Sequence, residues 1–170
     1  MNPVWRRWWA RRSFRLTVQF LLLLLIVVGV RSWSQRDLVS GTAPRLQGRL
    51  LDGNEYRLVT NRTQPVLLHF WASWCPVCKL EQDSINALSQ DYPVITVAMQ
   101  SGSDDEVRNF MRTQGLGFAV INDPDGALAR RFGVSAVPTS FIINAGNQIV
   151  FREAGYTTSA GLRMRLWLAK

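Results

Sequence analysis

Cysteine and histidine are scarce in this chain of 170 residues, with two of the first and one of the second. Two cysteines exclude a disulfide-stapled miniprotein, and one histidine beside them leaves too few ligands for a multi-cysteine zinc module. Acidic residues are missing altogether from residues 1–31, which carry six arginines: Arg6, Arg7, Arg11, Arg12, Arg15 and Arg31. Beyond them fourteen basic residues face twelve acidic ones, so most of the net charge of +8 belongs to the leader. A nucleic-acid-binding domain would carry its basic patch on the folded part, so no nucleic-acid partner is expected. There is no internal repeat and no low-complexity tract beyond the leader. A hydrophobic content of 47% excludes a disordered chain. The length suits one domain of ordinary size.

What the leader does contain is an uncharged run from Leu16 to Val30, bounded by Arg15 and Arg31. Fifteen helical residues span about 22 Å, short of a hydrocarbon core of about 30 Å. Ser13 and Phe14 extend the helix if Arg15 snorkels, and Trp33 suits the opposite interface. A signal-peptide core of similar length competes with this reading. The residues after the run, Arg31 to Arg36, are bulky and charged and offer no small-x-small cleavage site. The reading adopted is an uncleaved anchor: a basic cytoplasmic segment 1–15, a transmembrane helix 16–30, a linker 31–44 and a domain 45–170. The five arginines before the run place that domain outside, in a bacterium the periplasmic face of the inner membrane. Arg11-Arg12-Ser13-Phe14 also resembles a twin-arginine export signal, which would export the domain as well.

In the exported part, Gln47–Leu51 and Asn54–Val59 read as a hairpin around the turn Asp52-Gly53. The apolar run Val66–Trp71 has the pattern of a strand buried on both faces. A helix follows Cys75 to about Asp91, with Val77, Leu80, Ile85 and Leu88 on its apolar face. Val94–Met99 is a second buried strand, and Ser103-Asp104-Asp105-Glu106 opens a helix to about Gln114 with a capping box. A strand Phe118–Ile121, a helix Pro124–Phe132, strands Thr139–Asn144 and Gln148–Glu153, and a helix Thr158–Ala169 complete the order. Alternating strands and helices with a late strand pair predict an α/β domain, a central mixed sheet with helices on both faces.

Trp74-Cys75-Pro76-Val77-Cys78 stands where a buried strand hands over to a helix. The C-x-x-C spacing brings the sulfurs within bonding reach across one helical turn. At the helix N-terminus free N–H groups and the dipole favour a thiolate on Cys75, with Cys78 expected less exposed, one turn in. That asymmetry gives an attacking thiol, Cys75, and a resolving thiol, Cys78. Pro76 suits the first turn, where its missing N–H costs nothing. A structural disulfide, a zinc site completed by His69 and a two-thiolate copper(I) site are the competing readings. His69 alternates with Leu67 and Trp71 in the buried strand, either as a satisfied core histidine or as a neutral relay for the Cys78 proton. Glu81 falls four residues from both Val77 and Ile85, on the apolar stripe, where burial raises a carboxyl pKa. It is either a proton acceptor beside the dithiol or a partner of Lys79 or a linker arginine. Trp71 reads as core packing and Trp74 as a cover lining a groove.

Phe70 to Cys78, FWASWCPVC, resembles the FWAxWCxxC signature of the thioredoxin superfamily. The leader, the hairpin and Glu81 in a WCxxCxxE arrangement are similar to the membrane-anchored TlpA/ResA-like branch. Within it, the Arg/Trp-rich leader and CPVC centre are most similar to the copper-sensitivity-suppressor group. The resemblance covers residues 45–170. It implies a thioredoxin-like fold preceded by one transmembrane helix, with attacking and resolving roles for Cys75 and Cys78. It also implies a substrate groove lined by Trp74 and by Val137-Pro138-Thr139, whose proline is cis. His69 stands where thioredoxin has a buried acid and many relatives an amide, and Asp83 replaces a usual helix-kinking proline. The activity implied is reduction or isomerisation of disulfides in periplasmic proteins, because no histidine within the dipeptide acidifies Cys75. A membrane thiol-reductant transporter is the implied electron donor, and no metal or other cofactor is needed. Reduction of apocytochrome c and non-enzymatic copper(I) holding are the rival functions.

Overall fold

The computed structural model describes residues 16–26, 29, 35–60 and 62–170. The chain divides into two units, Met1–Arg36 and Asp37–Lys170. In the first, residues 16–26 are helical with exposed side chains. Among the described residues no helix is long and apolar enough to cross a membrane. The basic segment 1–15, residues 27, 28 and 30 of the expected anchor and residues 31–34 of the expected linker lie outside the described residues.

The described residues of the second unit form eight strands and four helices. They are β1 (Gly41–Thr42), β2 (Gln47–Arg49), β3 (Glu55–Arg57), β4 (Val66–Trp71), α1 (Pro76–Asp91), β5 (Val94–Met99), α2 (Asp104–Gln114), β6 (Ala119–Asp123), α3 (Ala127–Arg131), β7 (Thr139–Ile143), β8 (Gln148–Ala154) and α4 (Ser159–Leu168). Six strands form one mixed sheet in the order β1-β8-β7-β4-β5-β6. The β4–β5 and β5–β6 pairs are parallel, as crossovers through α1 and α2 require, and β7, β8 and β1 add antiparallel pairs. β4 lies inside the sheet and all six of its side chains are buried, which explains its unbroken apolar run.

Alternation along β4 divides the core. Leu67 and Trp71 pack with Ile85, Leu88, Val107, Leu162 and Leu166, so α1, α2 and α4 cover one face. Leu68 and Phe70 pack with Ala129, Phe132 and Phe141, so α3 covers the other. The β2–β3 hairpin is a separate small sheet in the register set by its Asp52-Gly53 turn. Leu50 bridges to Ile121 and Leu51 N–H donates to Val120 O, so the hairpin partly covers the free edge of β6.

Two local expectations change. Residues 37–44, read as linker, are part of the folded unit: Leu38 and Ala43 are buried, Val39 N–H donates to Phe132 O, and β1 pairs with β8. Two buried side chains five residues apart give no periodicity to read. On α1 the buried stripe is Cys78, Glu81, Ile85 and Leu88, whereas Val77 and Leu80 face solvent. The helix starts at Pro76 and its first turn is turned by the strand it leaves, so Cys78 and Glu81 take the inward positions. Asp83 is exposed on a continuous α1 without a proline kink.

Candidate functional site

The end of β4 delivers Ala72-Ser73-Trp74 to the start of α1, where Cys75 is the N-cap in extended conformation and Pro76 occupies the first turn. Cys75 and Cys78 form a disulfide with a Cα–Cα distance of 5.3 Å. The Cys78 N–H donates to Cys75 Sγ at 3.1 Å, so the cap's partner is the sulfur itself. A lone helix-terminal N–H aimed at Sγ stabilises negative charge there once the disulfide is opened.

Exposure does not separate the two sulfurs as expected: both cysteines are 4% exposed. Cys75 is covered from the far side by the loop before β7, whose Val137 carbonyl oxygen lies 3.6 Å from Cys75 Sγ. The Val137–Pro138 peptide bond is cis. Pro138 and Thr139 are buried and Val137 half-buried, and Thr139 Oγ1 donates to Ala136 O at 2.8 Å, tying the loop to itself. The structure thus brings Cys75, Cys78 and the Val137-Pro138-Thr139 segment together.

Trp74 is 58% exposed, and its indole N–H donates to Gln100 O at 2.9 Å, which pins the ring beside the disulfide. With Lys79, Ser101 and Phe110 it lines an open cavity of about 470 Å³. Behind it Trp71 is core, as expected: its N–H donates to Thr96 Oγ1 at 3.1 Å, and its ring packs on Phe110 and Phe118.

Glu81, one turn after Cys78 on the same stripe, is 1% exposed. Among the described residues it forms no ion pair with Lys79 or a linker arginine. Its Oε1 accepts the backbone N–H of Thr157 at 2.6 Å, and its buried Oε2 has no hydrogen-bond partner among the described residues. Burial raises its pKa to about 7, against the lowering effect of the Thr157 N–H. His69, buried on β4, places Nδ1 2.9 Å from Ser140 Oγ. Burial lowers its pKa to about 4, so the ring is neutral at pH 7. Among the described residues no group of three or more His, Cys, Asp or Glu side chains is placed to hold a metal ion.

Sequence reasoning missed the partners of these groups. Thr157 acts through its backbone N–H and Gln100 through its carbonyl, which no side-chain motif reveals. Ser140 had a signal, a hydroxyl alternating with Phe141 and Thr139 in a buried strand, but its cross-strand neighbour depended on register.

Residues 39–152 match the AhpC/TSA family. The thiol:disulfide interchange protein DsbE of Xylella fastidiosa is 30% identical over 146 residues, 81% of this chain and 74% of that protein. The thiol-disulfide oxidoreductase ResA of Geobacillus thermodenitrificans is 29% identical over 156 residues, 86% of this chain and 90% of that one. Among solved structures, the exposed lipoprotein thioredoxin Etrx1 of Streptococcus pneumoniae superposes with a TM-score of 0.64 at 26% identity, covering 74% of this chain and 99% of that one.

Proposed function

This chain belongs to the AhpC/TSA family and is a thioredoxin-like thiol–disulfide oxidoreductase, and from that premise we propose that it reduces or isomerises disulfides of periplasmic proteins while tethered to the inner membrane by residues 16–30. The observation that carries the reading is the Cys75–Cys78 pair at the start of α1, with the Cys78 N–H on Cys75 Sγ and the Val137-Pro138 loop against it.

The exchange runs in two balanced displacements. The Cys75 thiolate attacks one sulfur of the substrate disulfide, and the other sulfur leaves as a thiolate. Cys78 then attacks Cys75 Sγ, reforming the internal disulfide and releasing the second substrate sulfur. The Cys78 thiol must lose its proton as it attacks. Glu81, one turn on along the same stripe and with an unpartnered oxygen, is the acceptor, and neutral His69 in the strand beneath is the relay. Trp74, Val137, Pro138 and Thr139 line the substrate groove. Electrons return through a membrane thiol-reductant transporter. Copper or oxidative stress is the setting the leader and CPVC centre suggest, and a strain carrying only Cys75→Ser should then lose copper tolerance.

Trapping tests the core of this reading. Cys78→Ser expressed in cells should accumulate mixed disulfides through Cys75 with exported proteins. Absence of trapped proteins, with the variant folded, would sink it.

A further inference from the structure

The open cavity of about 470 Å³ beside Trp74 takes no part in the exchange steps, yet it adjoins the dithiol. Of its lining residues, Trp74 precedes Cys75 and Lys79 follows Cys78. The Lys79 N–H donates to Cys75 O at 3.3 Å, so the lysine stands one helical turn along α1 from the attacking cysteine. Two hydrogen bonds fix the near wall: Trp74 Nε1–H to Gln100 O at 2.9 Å and Ser73 N–H to Ser101 Oγ at 3.0 Å. Trp74 and Phe110 supply apolar surface, and polar side chains of α1 and α2 complete the lining.

What those polar groups have left uncommitted is of one kind. Asn109 Oδ1 accepts from Arg112 at 3.0 Å, and Gln114 Oε1 accepts from Gln82 at 3.1 Å. Their acceptor atoms are engaged, and among the described residues their side-chain NH₂ groups make no hydrogen bond. Lys79 Nζ lies 5.9 Å from the centroid of the Phe110 ring and, among the described residues, meets no carboxylate. The anion of the lining, Glu106, is engaged in the α2 cap, where its Oε2 accepts the N–H and the hydroxyl of Ser103 at 2.7 and 2.8 Å. An ammonium and spare amide donors beside apolar surface suit an acceptor-only group, a carboxylate above all.

Resting on the reading of this chain as a reductase of protein disulfides, we propose that the cavity is a substrate subsite for an acidic side chain near the target cysteine, with Lys79 as its specificity-determining residue. An extended segment advances about 3.4 Å per residue. With the target sulfur joined to Cys75, the acid that enters the cavity therefore lies within a residue or two of the target cysteine.

The test uses the full chain in detergent, reduced beforehand and freed of reductant. Its substrates are peptides whose single cysteine is a mixed disulfide with 4-thiopyridine, a neutral thiol that leaves readily, so that Cys75 joins the peptide sulfur. Two series carry Glu, Gln or Lys two residues before or two residues after that cysteine. Release of thiopyridine gives the second-order rate of joining, and mass spectrometry of freed peptide thiol reports its displacement by Cys78. In at least one series the Glu peptide should join about fivefold faster than the Gln peptide, and the Lys peptide more slowly. This ratio is taken within one protein, so it does not depend on how much of a variant folds or on the acidity of its thiols. Lys79→Met, which keeps a stem over Phe110, should bring the ratio to about one, and Lys79→Glu should make the Lys peptide the fastest. Asn109→Leu leaves every charge in place and should at least halve the ratio. A wild-type ratio of one in both series, or one that survives Lys79→Met, overturns the subsite and leaves the reductase reading standing. An unchanged ratio in Asn109→Leu also overturns it, since the acid is then attracted from outside the cavity. If peptides join Cys75 and are not freed as thiols, the reductase reading itself fails, and the subsite with it.

Discussion

Cys75 and Cys78 are buried alike, yet their surroundings differ in a way that reactivity can read. Cys75 Sγ faces the Cys78 N–H at the α1 N-terminus, whereas Cys78 sits on the stripe that continues through Glu81 and Ile85. In the reduced protein Cys75 should therefore react with iodoacetamide near neutral pH at least tenfold faster than Cys78, since the helix terminus stabilises its thiolate. Peptide mapping after brief labelling measures this, and preferential labelling of Cys78 would reverse the assigned roles. Glu81 makes a second claim at the same scale. Its folded-state pKa of about 7 lies above the ordinary carboxyl value of 4.5, so the native state holds the proton more tightly than the unfolded chain. The cost of ionising it is absent below pH 4.5, grows as pH rises toward 7 and is complete above that. Glu81→Gln keeps an oxygen for the Thr157 N–H and never ionises. It should gain stability relative to wild type between pH 4.5 and 8 by up to about 3 kcal/mol, read by urea denaturation at both pH values. The same variant should exchange dithiols at least tenfold more slowly at pH 7.5 and lack the rise in rate expected of wild type through pH 7. A parallel pH profile for the two proteins would leave Glu81 structural.

At the scale of elements, α3 and the segment before β1 show what a pattern of side chains conveys and what it leaves out. Gly133 ends α3 at a φ of +69°, and a Cβ there would lie 1.9 Å from Asp37 O. Gly115 ends α2 at a φ of +67° with open space around it. Alanine at Gly115 pays only for the left-handed backbone, about 1 kcal/mol. Alanine at Gly133 must also push residues 37–38 away from the end of α3, so Gly133→Ala should cost at least about 2 kcal/mol more. Equal costs in urea melts would mean that residues 37–39 do not hold to α3. This docking was not legible in the sequence, because the pair Leu38-Val39 and the single Ala43 are too short and too far apart to set a period. The hairpin, the buried strands and the capping box at Ser103 were legible, each resting on a local rule: a turn dipeptide, an apolar run, a reciprocal cap. Val77 and Leu80 misled for the opposite reason. Apolar residues at helical spacing mark an apolar face, but only the strand that aims α1 decides that Cys78 and Glu81 turn inward instead. The dithiol itself was plain from spacing, whereas the groups that tune it reach it through backbone atoms and strand register.

At the scale of the whole molecule, charge and hydropathy separate along the chain as sharply as structure does. The unit Asp37–Lys170 has its own two-sided core and contains all twelve acidic residues, while the leader is cationic and then apolar. In the proposed anchored form, a positive flank followed by an apolar run favours the orientation that keeps the arginines in the cytoplasm and exports the rest. If residues 16–30 remain as an anchor, the full chain should sediment with membranes after carbonate washing. A protease added to spheroplasts should then digest the dithiol unit from outside and leave a short membrane-held fragment. An anchored protein would also confine exchange to within a linker's reach of the membrane, where a membrane reductant can meet Cys75 without long-range diffusion. Replacing the arginines at positions 6, 7, 11, 12 and 15 by Gln should weaken the orientation, and the fraction of chain protected from external protease should rise. A washed-off protein whose N-terminus falls between Gln35 and Arg45 would instead identify the run as a cleaved signal. Unaltered protease protection after the five replacements would remove the charge argument for its orientation.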